Sequence, residues 1–209
     1  MWTSRGRQFH FDLYIKNSDG TQEEKLIVKD ELDKFPNDWS GDGKYILYNR
    51  ATDLWFVTLP ELKSSLFLKA SSVLSNGQFS PDGKWVAYAS NETGKWEIYV
   101  TSFPEPRGKW QISTGGGEQP RWRGDGKELF YLSTDDKMMA ALVTTGVNFD
   151  TGAPVAFFQT TLRQPVAVFD LFAYDVSRDG QRFLILTQVK QAETQPMSVV
   201  LNWTAKLNK

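Results

Sequence analysis

The sequence predicts an all-β fold, a β-propeller of about four and a half four-stranded blades taken from a larger ring of about six to eight blades. The first observation is a repeated stretch. FSPDGKWVAY at 79–88 recurs as WSGDGKYILY at 39–48, WRGDGKELFY at 122–131 and VSRDGQRFLI at 176–185. The second is the spacing, because the Asp-Gly pairs begin 40, 43 and 54 residues apart, at Asp42, Asp82, Asp125 and Asp179. A blade of several short strands needs roughly 40 to 50 residues, so the spacing indicates one blade per repeat.

The repeat has the chemistry of a hairpin. In FSPDGKW, Pro81 presets φ at the first corner, Asp82 can bond its own backbone, and Gly83 can take the left-handed conformation. We expect a three-residue loop that joins two antiparallel strands through a bulge. The following run WVAYAS is apolar at adjacent positions, which is typical of a strand covered on both faces. Each repeat is therefore predicted to place one strand inside a stack of sheets.

The whole chain, 1–209, is predicted to be a single propeller array. Its first residues, MWTSRGRQFH, lack the apolar stretch of a secretion signal. They lead into a segment that aligns with the later strands of a blade, with Trp2 opposite Tyr88 and Tyr14 opposite Tyr99. Since no Asp-Gly corner precedes this segment, we expect the chain to be the carboxy-terminal piece of a longer one. The predicted blades are 1–27 (partial), 28–65, 66–114, 115–161 and 162–209.

Particular segments are assigned within these blades. Blade 28–65 begins with an inner strand near FPNDWS, with Trp39 as its apolar anchor. Gly115, Gly116 and Gly117 are predicted to cross from an outer strand to the next inner strand, and TTGVNFDTGAPVAFFQ forms a longer excursion in blade 115–161. Blade 162–209 ends on MSVVLNW as a third strand and lacks a fourth. Such cut edges carry unpaired backbone groups, so they permit self-association.

Composition excludes several classes of protein. The net charge is -1 and the pI near 5.9, which argues against a nucleic-acid partner because binding phosphates requires a basic face. No apolar run reaches the length of about 18 residues that direct membrane insertion requires. The chain has no Cys, so disulfides and thiolate sites are excluded. Its 14 Phe, 8 Trp and 7 Tyr suit packing between sheets.

The repeat with its following strands LYI, LWFV and IYV resembles the TolB-like propeller repeat, a relative of the WD-repeat type. The resemblance covers nearly all of the chain, and the copy at 176–185 departs from it, with Arg178 in place of Pro81 and Gln181 in place of Lys84. The terminal VVLNWTAKLNK is similar to the end of propellers attached to bacterial Ser/Thr protein kinases. The resemblance implies a bacterial sensor or interaction module in an extracytoplasmic, periplasmic location.

The residues predict no catalytic, metal-binding or cofactor-binding site. One Asp per blade is explained by turn chemistry, and the glycine triplet at 115–117 lacks the spacing of a phosphate loop. His10 is the only histidine and no GxSxG motif occurs, so a Ser-His-Asp device is not predicted. The acidic pairs Asp30-Glu31 and Asp135-Asp136 lack the alternating ligand spacing of a calcium loop.

What remains is a surface around the mouth of the axial channel. In a propeller the loops into the inner strands and the first residues of those strands form this rim, and loops on a rigid scaffold commonly bind partners. Its mixture of amide and carboxylate groups favours a protein or peptide over a phosphate polymer. The predicted rim comprises Asn37, Asp38, Asn76, Gln78, Glu118, Gln119, Arg121, Asp170 and Tyr174.

We therefore expect a non-catalytic binding or scaffold module that mediates protein contact or ligand sensing. The alternative is an accessory or gating propeller of a larger enzyme, such as a prolyl-oligopeptidase-type peptidase. A third interpretation makes the chain itself an enzyme. A kinase domain encoded upstream or a hydrolase domain encoded downstream would distinguish the first two, and an activity screen would test the third.

Overall fold

A computed structural model describes residues 10–69, 71–146, 148–161 and 172–187. These residues form seventeen β-strands and no helix, so none of the described segments is a helix able to cross a bilayer. The predicted strand MSVVLNW and the candidate Asp170 lie outside the described residues.

The strands form three complete antiparallel sheets flanked by two half-sheets. The leading half-sheet pairs β1 (Leu13–Ile15) with β2 (Lys25–Val28). Sheet one has the order β3 (Lys34–Trp39), β4 (Tyr45–Arg50), β5 (Asp53–Thr58) and β6 (Lys63–Leu68). Sheet two has the order β7 (Leu74–Phe79), β8 (Trp85–Ser90), β9 (Glu97–Ser102) and β10 (Trp110–Gln111).

Sheet three contains the long excursion that the sequence predicted. Its path runs through β11 (Glu118–Trp122), β12 (Glu128–Leu132), β13 (Lys137–Thr145) and β14 (Phe149–Thr151), and β15 (Val155–Gln159) pairs with the first half of β13. The trailing half-sheet pairs β16 (Tyr174–Val176) with β17 (Phe183–Ile185). This arrangement confirms the predicted all-β, open and partial propeller. The division of the chain into blades at particular boundaries stays a prediction.

The sheets pack face to face in chain order. Leu13 and Ile27 of the leading half-sheet lie in one buried cluster with Tyr48 of sheet one, and Leu47 of sheet one lies in another with Val86 of sheet two. The central strand β8 is buried along its whole length, as expected for WVAYAS. Since each sheet exposes an apolar face that only a neighbour can cover, the sheets stabilise one another.

All four Asp-Gly pairs occupy equivalent corners between the first and second strands of their sheets. In sheet two, Gly83 N donates to Ser80 O at 2.8 Å, and the Gly83 φ of 68° is the left-handed value that favours glycine. The loop differs from the expected three residues. Ser80 N donates to Trp85 O at 2.8 Å, so four residues are enclosed. The reason is the Ser80 hydroxyl, which accepts a hydrogen bond from Trp85 N at 3.0 Å in place of a backbone carbonyl.

The serine of this corner is a structural element that the sequence prediction missed. Tyr45 N donates to Ser40 Oγ at 2.9 Å, and Arg182 N donates to Ser177 Oγ at 2.9 Å. In sheet three the equivalent residue is Arg123, whose guanidinium instead holds the Asp125 carboxylate through two hydrogen bonds of 2.7 Å. Ser40 Oγ donates to Asp42 Oδ1 at 2.7 Å, Ser80 Oγ donates to Asp82 Oδ1 at 2.6 Å, and Ser177 Oγ donates to Asp179 Oδ1. In each of the four repeats a side chain therefore holds the corner Asp, and in three of them that side chain is serine.

Trp39 does not act as the buried anchor that the sequence predicted. Its equivalents Phe79 and Trp122 are 6% and 9% exposed, whereas Trp39 is 48% exposed. Trp122 lies in a buried cluster with Trp85 and Ala87 of β8, the strand that follows the corner of the preceding sheet. The described part of the leading half-sheet contains only β1 and β2, so nothing equivalent covers Trp39.

Candidate binding surface on the inner strands

The inner strands β3, β7, β11 and β16 lie side by side, one from each successive sheet, and β7 contacts both β3 and β11. Each repeat places a polar side chain four residues before its Asp-Gly pair. These equivalent residues are Asp38, Gln78, Arg121 and Asp175. We call this set the inner polar row.

A bulge precedes the inner polar row in three of the four strands. The register shifts between Pro36 and Asp38 in β3, between Ser75 and Gln78 in β7, and between Glu118 and Arg121 in β11. At two of the bulges a residue other than glycine takes a left-handed conformation, Asn76 with φ 52° and Gln119 with φ 55°. A bulge re-aims the side chains that follow it and sharpens the local twist. The repeated bulges therefore set the direction in which the inner polar row points.

Side chains of β3 hold the backbone of β7. Gly77 N donates to Asn37 Oδ1 at 2.7 Å, and Phe79 N donates to Asp38 Oδ2 at 2.8 Å. Gln78 returns a bond, because its Nε2 donates to Asn37 O at 3.1 Å. These bonds satisfy backbone groups at the bulges, which buried strands cannot leave unpaired without cost.

Similar bonds join the following inner strands. Arg121 Nη1 donates to Gln78 Oε1 at 2.8 Å, and Trp122 Nε1 donates to Gln78 O at 3.2 Å. Further along, Ala173 N donates to Gln119 Oε1 at 2.7 Å and the Tyr174 hydroxyl donates to Gln119 O at 2.8 Å. The four inner strands thus form one hydrogen-bonded wall, in which the positions of the polar side chains are fixed.

The charges of the wall are concentrated around Arg121. Its Nε lies 3.8 Å from Asp175 Oδ1, and its guanidinium lies 3.9 Å from the centre of the Phe172 ring, a cation-π distance. Burial raises the pKa of the Asp38 carboxyl, while hydrogen bonds from the backbone of Phe79 and Trp39 and the charge of Arg121 act in the opposite direction. Asp38 therefore lies where its charge is poorly solvated and partly compensated.

Three predicted rim residues carry a buried polar atom without a hydrogen-bond partner in the structure. These atoms are Asn76 Nδ2, Glu118 Oε2 and Arg121 Nε. Burial raises the pKa of the Glu118 carboxyl. Asn76 and Glu118 precede the inner polar row along their strands.

A cleft of about 240 Å³ opens beside the inner polar row, at the end of the inner strands that leads into the Asp-Gly corners. Sequence reasoning placed the rim at the opposite end, where the chain enters these strands. The cleft combines carboxylates, one guanidinium and an amide with an aromatic wall. Its lining residues are Asp38, Trp39, Gly41, Gln78, Phe79, Ser80, Pro81, Arg121, Trp122, Asp175 and Val176.

The predicted rim residues are thus divided by the structure. Asp38, Gln78 and Arg121 lie together in the cleft. Asn37 lies beside them and bonds Gly77, whereas the others that the structure describes do not line the cleft, and Asn76, Gln119 and Tyr174 are at most 3% exposed. Asp175 was missed, although its position four residues before Asp179 matches that of Arg121 before Asp125.

The residues considered for chemistry do not assemble into a centre. His10 is exposed, with Nδ1 3.9 Å from Asp33 Oδ1. Gly115, Gly116 and Gly117 lie between β10 and β11, where Gly116 N donates to Glu97 Oε1 at 3.0 Å. Within the described ranges, no group of three or more His, Asp or Glu residues is arranged to hold a metal ion.

No protein-family model matches the chain, and no curated protein matches its sequence. Solved structures do match its fold. TolB from Acinetobacter baumannii superposes with a TM-score of 0.61 at 18% identity, over 81% of this chain and 41% of that protein. A putative 6-phosphogluconolactonase from Bacteroides uniformis gives a TM-score of 0.57 at 16% identity, over 84% of this chain and 57% of that one.

A third match is a puromycin-hydrolyzing peptidase from Mycobacterium tuberculosis, with a TM-score of 0.52 at 14% identity, over 68% of this chain and 28% of the peptidase. The chain therefore spans between about a quarter and three fifths of the length of these proteins. At such identities the likeness concerns the fold, and it shows that this chain has a TolB-like β-propeller fold.

Proposed function

We propose that the chain is a non-catalytic binding module that holds a segment of a protein partner in the cleft beside the inner polar row. The observation that carries this proposal is the hydrogen-bonded wall of inner strands, which presents carboxylates beside apolar side chains in the cleft. Preorganised groups cost little to order when a partner binds.

The size and chemistry of the cleft support a peptide segment. Its volume of about 240 Å³ lies below the roughly 300 to 1,000 Å³ typical of cofactor and drug sites, so it suits one or two side chains of a longer partner. Arg121 is already bonded to Gln78, whereas the Asp175 side chain is 66% exposed. We therefore expect the Asp38 and Asp175 carboxylates to accept hydrogen bonds from donor groups of the partner.

The test is a selection of peptides on the purified 209-residue chain from a phage-displayed library, followed by calorimetric titration. Asp38→Asn keeps an oxygen that can accept from Phe79 N but removes the charge, and Asp175→Asn removes the exposed carboxylate. We expect each variant to weaken binding about tenfold, the effect of one charged hydrogen bond. Asp150→Asn, an exposed aspartate on β14, is the matched control. Selected peptides that bind both cleft variants as tightly as the control would show that the cleft is not the site.

A second candidate function, an accessory propeller of a larger enzyme, is favoured by the likeness to the puromycin-hydrolyzing peptidase. In this case the array would select substrates for a catalytic domain encoded next to it. The coding sequence beyond Lys209 and before Met1 separates the two functions. If a hydrolase domain is encoded there, the accessory function predicts that Asp38→Asn in the complete enzyme changes the ratio of kcat/KM for long and short substrates, whereas a separate binding module predicts no change.

A further inference from the structure

One dipeptide of sheet two combines a chemically reactive sequence with a closely packed place in the fold. Asn76 and Gly77 form the only Asn-Gly pair in the sequence. Such a pair is typical of an exposed hairpin turn. Here it lies inside β7, a strand whose residues are all buried. The reactivity of the pair is therefore a property that the packing around β7 has to control.

Backbone geometry and packing favour these two residue types at the bulge of β7. Asn76 has a φ of 52°, a left-handed value that asparagine adopts more readily than most residues. A Cβ at Gly77 would lie 2.5 Å from Leu47 Cδ2 and 3.3 Å from Leu54 Cδ2. Both leucines belong to the buried cluster between sheets one and two, so a larger side chain at Gly77 has little room. The bulge that aims Gln78 into the cleft thus brings an asparagine and a glycine together.

An Asn-Gly pair reacts with itself, and asparagine is one of the thermolabile residues for this reason. The backbone nitrogen of the glycine loses its proton to water and bonds to Cγ of the asparagine side chain. The bond from Cγ to Nδ2 breaks and ammonia leaves, which gives a cyclic imide. Water then opens the imide at either carbonyl and leaves aspartate or iso-aspartate. The reaction is easiest with glycine because no Cβ hinders its nitrogen.

The folded chain blocks this reaction at both reacting groups. Gly77 N donates to Asn37 Oδ1 at 2.7 Å, so the neighbouring inner strand holds the proton that the nitrogen would have to lose. Asn37 is itself fixed, because its Nδ2 donates to Phe35 O at 2.9 Å and to Asn49 Oδ1 at 2.8 Å. Asn76 is 3% exposed, so its side chain has little room to turn towards the nitrogen. The restraint on Gly77 therefore comes from a side chain on sheet one.

The equivalent bulge of sheet three has no reactive pair. Gln119 occupies the same place as Asn76 and has a similar left-handed φ of 55°, and it is followed by Pro120. The nitrogen of proline carries no hydrogen, so it cannot form the imide. The two bulges share a backbone geometry, but of the two only the bulge in sheet two depends on a neighbouring strand for its chemical stability.

We propose that Asn76-Gly77 is a latent deamidation site, and that the hydrogen bond from Gly77 N to Asn37 Oδ1 keeps it unreacted until the inner strands β3 and β7 separate. Iso-aspartate at this position adds one carbon atom to the backbone of β7 directly before Gln78. The bonds from β7 to its neighbours depend on the positions of Gly77 N and the Gln78 side chain, so they are lost. Because ammonia has left, closing the strands again does not reverse the change. A lasting opening of the wall is thereby recorded as a permanent chemical modification.

The order of reaction at two asparagines tests the proposal in the natural chain. Asn17, which is followed by Ser18, is exposed at a turn and serves as the internal reference. Peptide mapping by mass spectrometry in mildly alkaline buffer detects the replacement of the amide by a carboxyl group at each site. Asn17 should react first in the folded chain. In unfolding concentrations of urea Asn76 should react first, at least about tenfold faster than in the folded chain, because opening is then no longer required. An Asn76 that reacts no faster in urea than in the folded chain would overturn the proposal.

A pair of variants tests the role of Asn37. Asn37→Leu keeps a side chain of similar size but removes the acceptor of Gly77 N. Hydrogen exchange at this N–H and deamidation at Asn76 should both accelerate by the same factor, about tenfold, as for a buried donor left without its partner. Ser80→Ala is the matched control, because it removes the acceptor of another buried backbone N–H in sheet two, and it should change both rates less. Equal acceleration in the two variants would overturn the proposal, since protection would then follow overall stability.

The natural chain decides the matter if Asn37→Leu does not fold. Adding urea below the unfolding transition should raise hydrogen exchange at Gly77 N–H and deamidation at Asn76 in parallel, because both require the same local opening. A deamidation rate that rises while this N–H stays protected would overturn the proposal, because the bond to Asn37 would then not control the reaction.

Discussion

Arg121 Nη1 donates a 2.8 Å hydrogen bond to Gln78 Oε1, and the two residues occupy the same position in successive repeats. Adjacent inner strands of a propeller belong to different sheets, so no backbone ladder joins them. In this chain the side chains of the inner polar row form that connection instead.

We expect this pair to contribute measurably to the free energy of unfolding. A double-mutant cycle with Arg121→Met and Gln78→Ala, followed by urea denaturation, should give a coupling of about 1 to 2 kcal/mol, as for a partly buried bond to a charged group. Arg107 and Glu105 form the control pair, because both side chains are more than 70% exposed and their coupling should stay below about 0.5 kcal/mol. Equal couplings for the two pairs would contradict a role for the inner row in joining the sheets.

The serine at the Asp-Gly corner should matter most where it is buried. Ser80→Ala leaves the buried Trp85 N–H without its acceptor, so we expect a loss of about 1 to 3 kcal/mol in urea unfolding. Ser177→Ala removes the same bond at a solvent-exposed corner and should cost less than about 1 kcal/mol, because water replaces the hydroxyl. Equal losses at the two corners would show that the bond is not what the serine contributes.

The long excursion of sheet three should stabilise the packing of sheet three against sheet two. Phe149 of β14 is 4% exposed, and its ring centre lies 5.2 Å from that of Trp85 and 5.4 Å from that of Trp110. Phe149→Ala should therefore lower the free energy of unfolding by about 3 to 5 kcal/mol and change tryptophan fluorescence. Leu66→Ala, at an exposed site on β6, should cost less than about 1 kcal/mol. A small loss at Phe149 would mean that the excursion is only a surface loop.

Lowering the pH should reduce the contribution of the Asp125 corner in sheet three to the free energy of unfolding. The Arg123 guanidinium, with a hydrogen bond from Lys127 N, lowers the pKa of Asp125 to about 2 from an ordinary 3.8. Because the pKa of Asp125 is lower in the folded than in the unfolded chain, its carboxylate stabilises the folded state fully above pH 3.8. This stabilisation is lost as the pH falls towards 2. Asp125→Asn should make the dependence of the urea midpoint on pH shallower in this window. An unchanged slope would show that the Asp125 carboxylate is not responsible.

The Glu118 carboxylate should, unlike that of Asp125, destabilise the folded state when it is ionised. Burial raises the pKa of its carboxyl, and Oε2 has no hydrogen-bond partner in the structure. The folded state therefore disfavours the ionised Glu118 carboxylate. This lowers the free energy of unfolding above the pKa of Glu118 in the folded state, and the effect is absent below its pKa in the unfolded state. Glu118→Gln should raise the free energy of unfolding by about 1 kcal/mol at pH 7, and the gain should disappear as the pH falls below 4. A gain that persists at low pH would point to a cause other than charge.

Part of the candidate site could be predicted from the sequence. Asp38, Gln78 and Arg121 were predicted because the repeat places them on inner strands, and Asp175 follows from the same offset once it is applied to the last copy. Asn76 and Gln119 were predicted as rim residues but lie buried at bulges with positive φ. No residue type marks those bulges, because they arise from how the strand meets its neighbours.

The amino-acid pattern alone determined that this chain is a stack of equivalent sheets, because a turn that needs Asp and Gly and a strand that needs two covered faces recur at one spacing. Only the tertiary structure decided which repeated positions become core and which become surface. Trp122 and Trp39 occupy the same place in the repeat, yet one is 9% and the other 48% exposed. The physical reason is that burial in a repeat array is supplied by the preceding sheet, so it depends on what stands next to a residue in space and not on the residue itself.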